Sequence, residues 1–496
     1  MQQRGQPGIL AIYRDRQRLP QVQVAGSPAL QQVQKICNSR LFREFHEVLF
    51  AAKKFLQYAK VQHIDFHSTI LPTQPANSLE LLLRPMKDSR MTTPASWKFL
   101  RHMWQRNVLV ALSTLLCVGA VQAQAPADAR QTFDGTMLPG VEVQTFSHSE
   151  TLFPVNQVAR KGPVQALPAS ATPLKNVHFS SAGVQYDLFD YLADNRVAGL
   201  LVLKNGKVVL EDYELGITPQ SRWISFSMAK SVASTLVGAA LKQGLIASID
   251  DPIIKYVPAL KGGVYDVVTV RNLLQMASGV KWDETYTDPR SDRRKLLDLQ
   301  LLGKPGVIVD FMRQLPRAAA PGSVFHYSTG ESFLIGAVLE GATHKPLATY
   351  LSETLWSRLG MESDATWWVE SPGGMGLAGS GLGATLRDYG RLGLFVQRGG
   401  LIDGKSIVPD NWFRDSGSPH TFSGKQVDYG YLWWPLPAGD PINKGAFEAR
   451  GIFGQHMYIN PAEELVIVVL SAHPKPSAPS TLDDFAFFAA VAKALH

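Results

Sequence analysis

Apolar positions in this chain switch between a helical period and a strand period, and the clearest helical stretch runs from Ser227 to Gly244. Val232, Leu236, Val237, Ala240 and Leu241 recur there at helical spacing. Ala233, Gly238 and Ala239 are small, so other elements can approach closely. Ser225 or Ser227 is the expected N-cap and Gly244 the expected stop. Further helices are predicted over 186–195, 269–279, 307–317, 331–340, 347–359, 387–397 and 482–495. Strands are predicted over 200–203 and 207–210, around the hairpin signal Asn205-Gly206. Others are predicted over 429–434, 454–459 and 465–470, with Asn460-Pro461 turning between the last two. Strands thus come early and late with helices between. That order predicts an α/β sheet built from both ends of the chain, holding a helical insertion.

Some stretches carry less pattern. Residues 124–174, rich in Pro, Ala, Gln and Ser, read as an irregular lead-in to a domain over 175–496. Residues 281–297 are charged and aromatic and read as a surface excursion near the mouth of a site. The glycine-rich run 373–383 has neither a Lys-Ser/Thr end nor a preceding strand, so it is not a phosphate loop.

The formal charge of +7 changes the picture less than it suggests. Residues 1–123 hold 16 Lys and Arg against 6 Asp and Glu, out of 49 and 42 in the chain, so residues 124–496 are about three charges negative. Nothing there asks for nucleic acid or an anionic membrane. Lys98, Arg101 and Arg106 precede an apolar run from Val108 to Ala120, too short to span a bilayer, and Val121-Gln122-Ala123 offers small residues for cleavage. The expectation is a secretory signal over 91–123 and a periplasmic or secreted protein without a stable membrane span. Because such a signal belongs at an N-terminus, residues 1–90 are expected to be untranslated or disordered. Both cysteines, Cys37 and Cys117, fall in or before that leader. The exported form would have no disulfide, thiol nucleophile or thiolate metal site.

The chemistry sits at the start of the main helix. Ser227 and Lys230 stand three residues apart and so share a helix face. A serine needs a base to become a nucleophile, and a lysine serves only when neutral. Burial and a neighbouring cation lower its pKa from roughly 10.4. The helix N-terminus favours a developing anion. A second Ser-x-x-Lys, at Ser278 and Lys281, has glycine in its first turn and no apolar helix behind it, so it reads as a turn. No histidine pair has metal spacing and no Gly-x-Ser-x-Gly elbow occurs, which disfavours zinc hydrolases and α/β-hydrolases.

Ser227-x-x-Lys230 resembles the first motif of the serine β-lactamase and penicillin-binding-protein superfamily. Tyr327-Ser328-Thr329 sits where its class C branch carries Tyr-x-Asn. Ala449 to Gln455, followed by Tyr458 to Pro461 and Leu465 to Val469, is similar to the third-motif strand and its returning strand. The resemblance covers roughly residues 175–496. Ser227-Met-Ala-Lys-Ser231 matches the branch that holds 6-aminohexanoate-dimer hydrolases and short-chain esterases.

The resemblance implies an antiparallel sheet flanked by helices. It also implies an acylated Ser227, proton transfer shared by Lys230 and Tyr327, and an oxyanion hole from the backbone N–H groups of Ser227 and Ile452. Substrate contacts would come from Thr329, Arg450 and Gly451, with no cofactor and no metal. Two departures matter: Thr329 replaces the asparagine, and Ala449-Arg450-Gly451 replaces Lys-Thr-Gly. Those groups recognise the β-lactam, so an ester or amide is the expected small-molecule substrate. The alternatives are a β-lactamase or D-amino-acid peptidase, and a penicillin-binding sensor that acylates once. Arg450 reads either as a cation for a substrate carboxylate or as a solvated strand-end arginine. His326 reads as structural. Tyr286, Trp367, Trp368, Tyr429 and Trp433 are candidates to line an apolar acyl pocket, but most of them read as core.

Overall fold

The computed structural model describes residues 128–496. The leader over 91–123, the segment 1–90 and both cysteines lie outside the described residues.

The main sheet is antiparallel and six-stranded. In chain order its strands are β1 (Val197–Lys204), β2 (Lys207–Tyr213), β3 (Trp434–Pro435), β4 (Phe447–Gly451), β5 (Gln455–Asn460) and β6 (Leu465–Ser471). Their spatial order is β3-β4-β5-β6-β1-β2. The early hairpin therefore joins the late strands through the pairing of β1 with β6, where Val202 faces Ile467. Asn205 and Gly206 both take positive φ, 52° and 73°, as the predicted two-residue turn requires.

Both faces of the sheet are covered, which is why its central strands read as nearly unbroken apolar runs. Successive residues point to opposite faces. Leu201, Leu203, Val466 and Val468 join the larger core, under helix α3 (Leu386–Gln397). Leu200, Val202, Ile467 and Val469 join a second core with Phe487, Phe488 and Val491 of helix α4 (Asp484–Leu495).

The helical region between the two strand groups centres on α1 (Met228–Lys242) and α2 (Thr329–Thr343), which pack together. Gly244 follows α1 with φ 74°, the expected left-handed stop. Thr269 caps its short helix Val270–Leu274 in a capping box with Asn272. That helix ends well before residue 279, because Met276 turns left-handed at φ 51°.

Several expectations are corrected. Residues 128–174 are not irregular throughout: they hold the helices Ala129–Asp134 and Pro139–Ser147 and the strand Val155–Val158. Phe133 and Phe146 anchor them in the main core, an apolar signal hidden by polar neighbours. Residues 281–297 are not wholly a surface excursion. Trp282, Arg293, Arg294, Leu296 and Leu297 are buried, and a helix occupies Asp292–Gln300. The strand expected over 429–434 is reduced to β3. Leu432, at φ 60°, breaks the ladder, and its carbonyl accepts a 2.6 Å bond from Ser231 of α1.

Candidate active site

Ser227 stands immediately before α1 in near-helical backbone, φ −70° and ψ −6°. Neither expected serine cap forms. The Ser225 hydroxyl donates to the Phe226 carbonyl at 3.0 Å, and the Ser227 hydroxyl faces Lys230 instead. The turn is reached through Phe226, a left-handed residue at φ 43°, and is tied by the Ser225 N–H to the Leu382 carbonyl at 2.7 Å.

Lys230 is 2% exposed. Its Nζ lies 2.9 Å from Ser227 Oγ, 2.8 Å from the Gly379 carbonyl oxygen and 3.3 Å from Thr329 Oγ1. Burial is the largest influence on this amine and lowers its pKa to about 7; Glu284 opposes that shift and Arg293 adds to it. A neutral lysine amine has two N–H donors and one lone pair. Gly379 and Thr329 can take the two donors, which leaves the lone pair for the Ser227 proton. An amine that titrates near pH 7 is thus aimed at the Ser227 hydroxyl, an arrangement that can serve as base and nucleophile.

Tyr327 completes the group. The Lys230 Nζ sits 5.0 Å from its ring centroid, and the Ser227 side chain is close enough to act on its phenol. Burial and the charge of Glu284 drive its pKa far upward, so the phenol keeps its proton. The ring is held between Trp434, stacked at 5.8 Å, and Tyr429, edge-on at 6.1 Å.

These groups open onto a cleft of about 580 Å³ whose lining includes Ser227, Glu284, Tyr286, Tyr327, Arg450 and Ile452. Gly451 also lines it, and here glycine is obligatory: a Cβ would strike the Ser225 carbonyl oxygen. This contact sets the end of β4 against the turn that carries Ser227. Among the described residues, neither Ser227 nor Ile452 uses its N–H in a backbone hydrogen bond.

The other predicted residues fall out as follows. Thr329 is buried on the first turn of α2, beside Lys230. Arg450 reaches the cleft but is already engaged. Its guanidinium pairs with the fully buried Glu448 and lies 5.2 Å from the ring centroids of Trp434 and Phe485. Glu448 also accepts at 2.8 Å from His456, which bridges onward to Asp484. Of the five aromatics considered, Tyr286 lines the cleft; Trp367, Trp368, Tyr429 and Trp433 are core residues. Ser278 is buried and donates to Glu331, away from the exposed Lys281. His326 bonds the Trp282 carbonyl at 2.6 Å.

Sequence reasoning missed Glu284, the Gly379 carbonyl, Trp434 and the Glu448–His456–Asp484 chain. Glu284 and Gly379 lay inside the two stretches already marked as a site-mouth excursion and a glycine-rich run. Among the described residues no group of three or more His, Cys, Asp or Glu is placed to hold a metal ion, and no helix is long and apolar enough to cross a membrane.

The family model described as Beta-lactamase matches residues 187–491. The 6-aminohexanoate-dimer hydrolase of Paenarthrobacter ureafaciens is 29% identical over 346 residues, covering 67% of this chain and 85% of the relative. A Beta-lactamase of Pseudomonas fluorescens is 26% identical over 175 residues, 34% of this chain and 45% of that protein. A Bacillus anthracis structure, provisionally assigned as a 6-aminohexanoate-dimer hydrolase, superposes with a TM-score of 0.62 at 23% identity. It covers 75% of this chain and 97% of its own. With the family model spanning more than half its length, this chain belongs to the β-lactamase/transpeptidase-like superfamily and is a hydrolase of that group.

Proposed function

We propose that this protein hydrolyses an ester or a small linear amide through an acyl-enzyme on Ser227. The observation that carries the reading is the buried Lys230 amine, 2.9 Å from Ser227 Oγ and with two other acceptors for its N–H groups. The relative that acts on a 6-aminohexanoate dimer supports an amide joining two flexible chains. Arg450, paired with Glu448, is not a free cation for a β-lactam carboxylate, which supports the ester or amide over the β-lactam.

In the first half-reaction the Ser227 proton passes to Lys230 Nζ as Oγ bonds the carbonyl carbon. The oxygen that gains the charge is stabilised by the N–H groups of Ser227 and Ile452. The carbon–nitrogen or carbon–oxygen bond then breaks. The leaving group takes a proton from Tyr327, whose own is replaced from Lys230. Water attacks the ester in the second half-reaction, giving its proton back along the same path and releasing Ser227. Tyr327 suits this role because it remains protonated and lines the cleft beside the serine. We also propose that the protein is exported, on the strength of the leader over 91–123; a mature N-terminus close to residue 124 would support this, and a peptide from residues 1–90 in cells would oppose it.

The deciding experiment is hydrolysis of p-nitrophenyl butyrate by the protein and by its Ser227→Ala variant. Steady turnover lost on substitution supports the hydrolase. One stoichiometric burst without turnover would make the protein a sensor, and turnover that survives Ser227→Ala would remove the serine from the mechanism.

A further inference from the structure

Glu284 is the one carboxylate of the cleft that reaches toward the Ser227–Lys230 pair through a single residue. One of its oxygens accepts the Thr329 hydroxyl hydrogen. The other accepts the Thr329 backbone N–H at 2.9 Å and the Trp282 indole N–H. The Thr329 hydroxyl hydrogen is thereby spent on Glu284, and its oxygen can only accept from Lys230. Were that hydrogen free to rotate, it could donate to the lysine lone pair and block the base.

A second feature points the same way. Arg293 is 2% exposed, stacked 4.4 Å from the Phe133 ring centroid. Its Nε and Nη1 have no hydrogen-bond partner among the described residues. A buried guanidinium without bonded partners is costly. Its charge acts on Glu284, Tyr286 and Tyr327. The charged and titratable groups around Glu284 are Lys230, Tyr286, Arg293, Tyr327 and Tyr429, with Arg450 acting on Tyr327.

We propose that Glu284 is a positioning residue for the hydrolysis. It locks Thr329 as a pure acceptor, so that the lone pair of Lys230 is presented to Ser227, while its charge acts on that amine in the direction opposite to burial. This rests on the acyl-enzyme reading above. Thr329 needs a carboxylate to fix the direction of its hydroxyl beside Lys230.

The test is the pH profile of kcat/KM for p-nitrophenyl butyrate hydrolysis by Glu284→Gln, Thr329→Val and the double variant. Loss of the negative charge should move the acid limb of Glu284→Gln to lower pH by about one unit. kcat should fall about tenfold or more, because the amide can turn the Thr329 hydroxyl toward Lys230. Thr329→Val has no hydroxyl to misdirect, so adding Glu284→Gln to it should cost little further rate while still shifting the limb. An unmoved acid limb in Glu284→Gln, or additive rate losses in the double variant, would overturn the proposal. If Glu284→Gln does not fold, Glu284→Asp takes its place and should retain the wild-type limb with reduced kcat; a shifted limb there would count against it. Ser227→Ala run in parallel keeps the two readings apart: turnover surviving in that variant sinks the acyl-enzyme reading, whereas turnover lost there with an unmoved limb in Glu284→Gln sinks only this one.

Discussion

Phe226 and Phe453 lie ring to ring at 5.0 Å, and both hold positive φ, 43° and 64°. Each adjoins one of the two residues proposed to bind the oxyanion: Phe226 precedes Ser227, and Phe453 follows Ile452. Non-glycine residues in this conformation cost energy of order 1–3 kcal/mol and persist where packing over-determines them. Here the packing is a third ring, Phe146 from the helix Pro139–Ser147, 5.1 Å from Phe226 and 4.9 Å from Phe453.

Phe146→Ala should therefore do two things. It should destabilise the fold by about 3–5 kcal/mol, as expected for truncating a buried phenylalanine. It should also lower kcat more than it changes KM, because the two N–H groups lose their setting while the cleft wall stays intact. Thermal unfolding and steady-state kinetics read the two effects separately. A less stable variant with unchanged kcat would show that the three rings hold the fold and not the oxyanion site.

Gly451→Ala tests the other approach to the same turn. The new methyl group meets the Ser225 carbonyl oxygen and must push β4 away from the chain leading to Ser227. A displacement of about 1 Å at a reacting geometry can cost on the order of 10²-fold in rate. We expect that loss in kcat/KM, with far-UV circular dichroism unchanged. Activity within twofold of wild type would mean the strand and turn are not mechanically coupled.

The acid limb of kcat/KM should have its midpoint near pH 7, where Lys230 loses its proton, with activity rising as pH increases. The same shift has a stability signature. Burial holds the folded amine near 7, while the unfolded amine titrates near 10.5. Between those values the unfolded chain binds a proton that the folded chain lacks. The contribution of this residue thus improves as pH rises from 7 to 10.5, by ~1.4 kcal/mol per unit, and the full penalty applies below 7. Lys230→Met, inactive, should gain most against wild type at pH 6–7 and progressively less toward pH 10. Denaturant midpoints across that range check the sign; a difference independent of pH would mean the folded amine is not depressed.

Arg450→Ala bears on the opposite wall. Burial opposes the ionised form of Glu448, but Arg450 and His456 together keep its carboxyl below the ordinary value. Removing Arg450 leaves a buried carboxylate with His456 as its cationic partner. A loss of about 1–3 kcal/mol at pH 7 is expected, less than for a fully buried pair because Arg450 is partly open to water. The loss should shrink as pH falls and Glu448 takes up a proton. Equal destabilisation at pH 4 and pH 7 would exclude the pair as its source.

Much of this was legible in the chain itself, for reasons that particular residues make clear. The Ser227–Lys230 spacing is local and survives any tertiary arrangement, and Asn205-Gly206 encodes its turn within two residues. That the sheet is built from both ends of the chain was readable because both strand groups are strongly apolar. What escaped depended on distant partners. Nothing near Glu284 says that it will meet Thr329, and a carbonyl such as that of Gly379 has no sequence signature. Arg450 looked free in a linear reading because nothing in the sequence marks Glu448, two positions away on the same strand, as its partner. Only the fold shows that Glu448 is sealed beneath α4. The lead-in over 128–174 failed for the same reason: Phe133 and Phe146 are two rings in a polar stretch, and their importance lies in what they touch.

The pairing of β1 with β6 has a consequence for synthesis. During translation, Ser227 and Lys230 leave the ribosome more than two hundred residues before Gly451, Ile452 and the strand that closes the sheet. A nascent chain can form α1 early, but it cannot bring the Ser227 turn against Gly451 and Ile452 until β4 to β6 have followed. Closure of so distant a contact is slow compared with local helix formation. A product truncated between residues 231 and 450 would therefore carry the complete Ser-x-x-Lys motif without Gly451, Ile452 and the strands that close the sheet.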